Sequence, residues 1–126
     1  MPADHNPVGW FEIPVRDLDR AKTFYQTVFE FEDMPVHDMG PLRMAWFPWK
    51  QDGIGAPGAL CHGEWYEPSQ AGTLVYLTAP DIDACLARAA ENGGKVIQSK
   101  KSIGEYGFVG FMEDCEGNRV GLHSRS

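Results

Sequence analysis

The stretch WFEIPVRDLDRAKTFY, from Trp10 to Tyr25, reads as a short strand, a turn and the start of a helix. Phe11, Ile13 and Val15 alternate with Trp10, Glu12 and Pro14, the period of a strand buried on one face. Asp17 stands where a helix N-cap is needed, because its carboxylate can accept from the first free helical N–H groups. Behind it Leu18, Ala21, Phe24, Tyr25, Val28 and Phe29 recur at helical spacing. The pattern returns in LVYLTAPDIDACLARAA, from Leu74 to Ala90. A shift of 64 residues lays Phe11-Glu12-Ile13 on Val75-Tyr76-Leu77, Asp17-Leu18-Asp19 on Asp81-Ile82-Asp83, and Ala21 on Cys85. The same shift lays Met44-Ala45-Trp46-Phe47 on Phe108-Val109-Gly110-Phe111, and Asp52-Gly53 on Glu116-Gly117. Apolar and turn positions that agree at one offset mark a duplicated unit.

Each half reads strand, helix, then three strands. The first strands are Trp10–Val15 and Leu74–Ala79, and Asp81 caps a second helix carrying Ile82, Cys85, Leu86, Ala89 and Ala90 on one face. Gly93-Gly94 ends that helix. In the second half the strands are about Lys95–Ser99, Tyr106–Glu113 and Asn118–Ser124, the last two joined by a hairpin turn at Cys115-Glu116-Gly117-Asn118. In the first half they are about Glu32–Val36, Arg43–Trp49 and Gly58–His62, with Gln51-Asp52-Gly53 as the matching turn and Ile54–Gly58 as a small insertion. The expected organisation is one α+β domain over residues 1–126: module 1 about 8–63, a linker about 64–72, and module 2 about 73–124. Each amphipathic helix must cover one face of its strands. Phe11, Ile13, Val15 and Val75, Leu77, Ala79 turn to the helices, and Trp10, Glu12, Leu74 and Tyr76 turn away. Because sheets twist and curl, these second faces line a groove suited to a small molecule.

Bulk properties exclude other classes. Eighteen acids against eleven bases give −7, without the basic footprint of a nucleic-acid binder; Lys50, Lys95, Lys100 and Lys101 are the scattered exceptions. No apolar run reaches the ~20 residues of a membrane span, and the first residues lack the features of a secretory signal. Three cysteines with no CxxC pair read as free thiols of a cytoplasmic protein: Cys85 on a helix, Cys61 in a strand, and Cys115, the most exposed, beside a turn.

Two segments carry a resemblance. Ile13-Pro-Val-Arg-Asp-Leu-Asp-Arg-Ala-Lys-Thr-Phe-Tyr25 is similar to the first strand and helix of the glyoxalase/bleomycin resistance/dioxygenase (vicinal oxygen chelate) superfamily, with its V-x-D-L-x-x-A/S-x-x-F-Y pattern. Gly107-Phe-Val-Gly-Phe-Met-Glu-Asp114, followed by Glu116-Gly117-Asn118-Arg119, resembles its closing F-x-D-P-x-G-N-x-I/V signature. The chain looks most like the small bacterial proteins related to lactoylglutathione lyase. The resemblance implies two tandem βαβββ modules forming a curved, incompletely closed eight-stranded mixed sheet around a groove, helices outside, and commonly a homodimer.

It also implies a test of the groove. Metal enzymes of the superfamily set four His, Gln or Glu ligands there, whose open coordination sites polarise a vicinal-oxygen substrate. By position these seats fall on Trp10, near Ala59, on Leu74 and on Gly121, none of which can bind a metal. No cofactor is therefore expected, and a small-molecule-binding protein without glyoxalase activity is the first reading. The groove residues are Trp10, Glu12, Trp46, Leu74, Tyr76, Gly121 and His123. The alternative is a lyase, isomerase or dioxygenase with a divalent metal moved to Glu12, His62 and His123, or with Glu12 and His123 as an acid/base pair. Trp49, Trp65 and Tyr66 are further aromatics for stacking or subunit contact, whereas His5 and His37 are expected in solvated loops.

Overall fold

The computed structural model describes residues 6–126. The expected His5 loop lies outside them. The first module runs β1 (Phe11–Pro14), α1 (Leu18–Phe29), β2 (Val36–Met39), β3 (Leu42–Trp46) and β4 (Gly58–His62). The second runs β5 (Tyr76–Thr78), α2 (Ile82–Glu91), β6 (Lys95–Ser102), a 3₁₀ turn at Gly104–Tyr106, β7 (Phe108–Glu113) and β8 (Arg119–Ser124). The eight strands form two mixed four-stranded sheets, ordered β1-β4-β3-β2 and β5-β8-β7-β6. Each is parallel at one edge pair, β1–β4 or β5–β8, and antiparallel elsewhere, and the assembly is not closed.

Both N-caps form as expected: Asp17 accepts from the Arg20 N–H and Asp81 from the Ala84 N–H. The helices bury their stripes against the sheet backs and each other. One core joins Ile13, Leu18, Phe24, Tyr25 and Val28 to Ile82, Leu86, Met112, Val120 and Leu122. Polar contacts tie the modules as well. The buried Asp114 carboxylate accepts from the Tyr25 hydroxyl at 2.6 Å, and the Asn118 amide donates to the Pro14 carbonyl at 2.7 Å.

Strand positions in module 1 depart from the sequence reading. β2 lies at Val36–Met39 rather than Glu32–Val36, and His37 is in it rather than in a loop. Gly40, at φ 75°, turns the chain tightly into β3. That strand stops at Trp46, because Pro48 lacks the N–H needed to extend the ladder. In module 2, Gly104–Tyr106 forms a 3₁₀ turn instead of the start of β7.

Register corrects the repeat. Glu12 pairs with Ala59, and Ala59 with Trp46; Tyr76 pairs with Gly121, and Gly121 with Phe111. Trp46 is thus equivalent to Phe111, 65 positions on, not to Gly110, and Ala59 to Gly121, 62 positions on. A slip of one would have put Trp46 on the helix-facing side, where Gly110 lies against Ile82 and Leu86. The drop from 65 to 62 locates three extra residues of module 1 in the stretch between β3 and β4, around the expected insertion.

Candidate functional site

The sheet faces opposite the helices carry the site. In module 1 that face presents Glu12, Ala59 and Trp46 as one cross-strand row, backed by Met44 and Cys61. Trp10 packs edge-on against Trp46 with ring centroids 5.0 Å apart, and the His37 ring lies 4.5 Å from Trp46 on its other flank. Trp46 Nε1 is buried without a hydrogen-bond partner among the described residues.

Glu12 is held from both sides. Trp10 Nε1 donates to one carboxylate oxygen at 3.1 Å and the Tyr66 hydroxyl to the other at 2.8 Å. That hydrogen bond pushes the Tyr66 phenol up to about 12. Burial, with Glu12 nearby, does the same to the Cys61 thiol. Tyr66 comes from the segment between the modules, so this stretch builds part of the groove wall. Its neighbour Trp65 is 87% exposed and Trp49 also faces solvent.

In module 2 the equivalent row is Tyr76, Gly121 and Phe111. The Tyr76 ring lies over Gly121, so closely that a Cβ there would fall 2.6 Å from a ring carbon, and it meets Phe111 edge-on at 5.7 Å. Tyr76, Thr78, Lys101, Phe111 and His123 line one pocket. Trp10, Glu12, Leu74 and Tyr76 line a second, at β1 and β5. Tyr76 belongs to both.

Trp10, Glu12, Trp46, Leu74, Tyr76, Gly121 and His123 lie on or beside these faces, but not all candidates meet. Along β4 the side chains alternate, so Cys61 faces the groove and His62 the helices, with His62 Nδ1 3.2 Å from the Val15 carbonyl oxygen. His62 does not join Glu12 and His123. Among the described residues no three His, Cys, Asp or Glu side chains are placed to hold a metal. Cys115 is half-buried, and burial beside the Asp114 carboxylate pushes its thiol up to about 12, which is poor for a nucleophile.

Sequence reasoning missed the anchoring role of Tyr66 and the presence of Lys101 in the module 2 pocket. Lys101 was hidden because β6 continues beyond Ser99, to Ser102.

A family model, the Glyoxalase/Bleomycin resistance protein/Dioxygenase superfamily, matches residues 8–122. The chain belongs to this superfamily. Among its relatives, a glyoxylase-like domain-containing protein of Didymella fabae is 27% identical over 128 residues, covering 96% of this chain and 95% of its own. The crystal structure of TnmS3, an antibiotic-binding protein from Streptomyces sp. CB03234, matches with a TM-score of 0.64 at 25% identity, covering 99% of this chain and 100% of that one. Glyoxalase I from Zea mays matches with a TM-score of 0.67 at 17% identity over 94% of this chain. The chain spans only 46% of the maize protein, so that likeness concerns the fold.

The resemblance places the superfamily's four ligand seats at Trp10, near Ala59, at Leu74 and at Gly121, and these residues do not fit a metal. Trp10, Ala59, Leu74 and Gly121 bring no oxygen, sulfur or imidazole donor, and Tyr76 fills the space beside Gly121. Among the described residues no helix is long and apolar enough to cross a membrane.

Proposed function

We propose that this superfamily member binds a small molecule in its groove without the four-ligand metal centre and without glyoxalase activity. The observation that carries the reading is the ring surface that Trp10, Trp46 and Tyr76 present on the sheet faces opposite the helices, and the resemblance supports it by placing the ligand seats at Trp10, near Ala59, at Leu74 and at Gly121, which offer no metal donor. Rings of this size bury much apolar area against a flat ligand. The antibiotic-binding Streptomyces relative lends support. Titration with a panel of planar aromatic antibiotics is expected to quench tryptophan fluorescence saturably, unchanged by chelator. Trp10→Ala should weaken binding about tenfold. Stoichiometric metal that resists dialysis, together with glyoxalase turnover, would overturn this reading.

A homodimer belongs to the same proposal. The outer strands leave apolar side chains in solvent: Val36 and Met39 on β2, Val96 and Ile97 on β6, and Ile103 and Tyr106 after it. Open sheet edges of this kind favour pairing with another chain. Sedimentation equilibrium should give twice the chain mass; a monomer at all concentrations refutes the pairing.

A further inference from the structure

The two pockets that share Tyr76 are opposite in charge. On the module 1 side, Glu12 is the only side chain charged at neutral pH among those lining a pocket of about 520 Å3, where Trp10 and Tyr76 supply the rings. On the module 2 side, Lys101, Thr78 and His123 line a pocket of about 540 Å3 with Phe111 and Val109, and no acid contributes to it. The asymmetry is written at equivalent positions. Glu12 of the first module corresponds to Tyr76 of the second, and Cys61 of the first to His123 of the second.

The polar groups are oriented but not neutralised. Both Glu12 oxygens accept from neutral donors, Trp10 Nε1 and the Tyr66 hydroxyl, and no cation pairs with Glu12 among the described residues. A carboxylate fixed at the N–H edge of an indole, with ring surface of that indole open to solvent, is a site for an organic cation. His123 Nε2 lies 2.7 Å from the Tyr106 carbonyl oxygen. A carbonyl only accepts, so Nε2 carries the proton and Nδ1 is left as an acceptor. Lys101 has no carboxylate partner among the described residues, and the Thr78 hydroxyl adds a donor in the same pocket.

The geometry points to a dipolar ligand: a small molecule whose amine or other organic cation sits at Glu12 and Trp10, and whose acidic group meets Lys101 and Thr78 across Tyr76. This deepens the binding reading and rests on it. Each end contributes modestly alone, because both pockets are open to water and salt screens them. Together the ends select molecules that carry both charges.

The test uses the full chain and isothermal titration with benzyltrimethylammonium, benzoate, neutral benzyl alcohol, and two dipolar probes of different length, 4-(aminomethyl)benzoate and 4-(4-aminobutyl)benzoate. At least one dipolar probe is expected to bind about tenfold tighter than either singly charged probe. Glu12→Gln should remove that advantage and leave benzoate within about twofold, whereas Lys101→Met should remove it and leave benzyltrimethylammonium within about twofold. Both side chains are exposed, so neither change threatens folding, and circular dichroism checks this. Dipolar probes that bind no tighter than benzyl alcohol, or a ranking untouched by both substitutions, would overturn the inference. Saturable antibiotic binding alongside that failure leaves the metal-free binding reading standing. Stoichiometric metal and glyoxalase turnover with the dipolar ranking intact would do the reverse.

Discussion

Glu116 sits in the β7–β8 turn of the second module, yet it serves the first helix of the other. It is 6% exposed and accepts from the Arg16 N–H at 2.6 Å, the Asp17 N–H at 3.1 Å and the Arg20 guanidinium. The start of α1 thus has two carboxylates, its own cap Asp17 and this one, both favoured by the positive end of the helix dipole. Burial pushes the Glu116 carboxyl up, but the two N–H groups and Arg20 together outweigh it and hold it below its ordinary 4.5. A folded-state pKa below the unfolded one gives stability that is full above the unfolded value and lost as pH falls through the folded one. Glu116→Gln should therefore cost about 1–3 kcal/mol at pH 7, and urea midpoints of the two proteins should converge in acid. A gap of equal size on both sides of the carboxylate range would show that charge is not its source. Asp17 was legible as a cap because its partner lies three residues on, but Glu116 was not. Its partners are 99 and 100 positions away, so the local pattern showed only a turn. Glu12 was legible as facing away from the helices from alternation alone, whereas its anchor Tyr66, 54 positions away, was not.

The two helices end differently. After α2, Gly93 takes φ 98° and the Gly94 N–H closes on the Ala89 carbonyl at 2.8 Å, a termination visible in the sequence as Gly93-Gly94. α1 has no such glycine. Its C-cap is Glu30 at φ 57°, ψ 40°, a left-handed conformation that crowds a Cβ. Glu30→Gly should relieve that crowding and raise stability by about 0.5–1 kcal/mol, read as a higher urea midpoint. The side chain gives up little in exchange, since in its 3.8 Å pair with Arg88 the Glu30 side chain is 74% exposed. A lower midpoint would mean that the pair, or the greater freedom of glycine in the unfolded chain, outweighs the cap. The same contrast governs the strands. Those beside a clear turn, such as β7 and β8 around Gly117 at φ 94°, were readable to within a residue or two at that turn. β2 was displaced because its four residues are all exposed and show no alternation to read.

At the scale of the whole molecule, the duplication and the two-faced sheets followed from periodicity, whereas the joint between modules did not, being built from contacts distant in sequence. That joint sets how the protein unfolds. The core runs without a break from Ile13 through α1 and α2 to Leu122, and the buried Tyr25–Asp114 hydrogen bond crosses from one module to the other. An isolated module would expose its helix back and leave Asp114 without one of its donors. The two should unfold as a single cooperative unit. The tryptophan distribution makes this measurable. All four, Trp10, Trp46, Trp49 and Trp65, lie in module 1 and the segment after it, so fluorescence reports on that half alone. Far-UV circular dichroism reports on both, since each contributes one helix and four strands. The two signals should trace one transition with one urea midpoint, and Glu116→Gln should move both together, because its contacts bridge the modules. A fluorescence transition that precedes the circular dichroism transition would mean that module 2 survives the loss of module 1. The helix–helix seam would then be a docking contact between independent units, not the centre of one core.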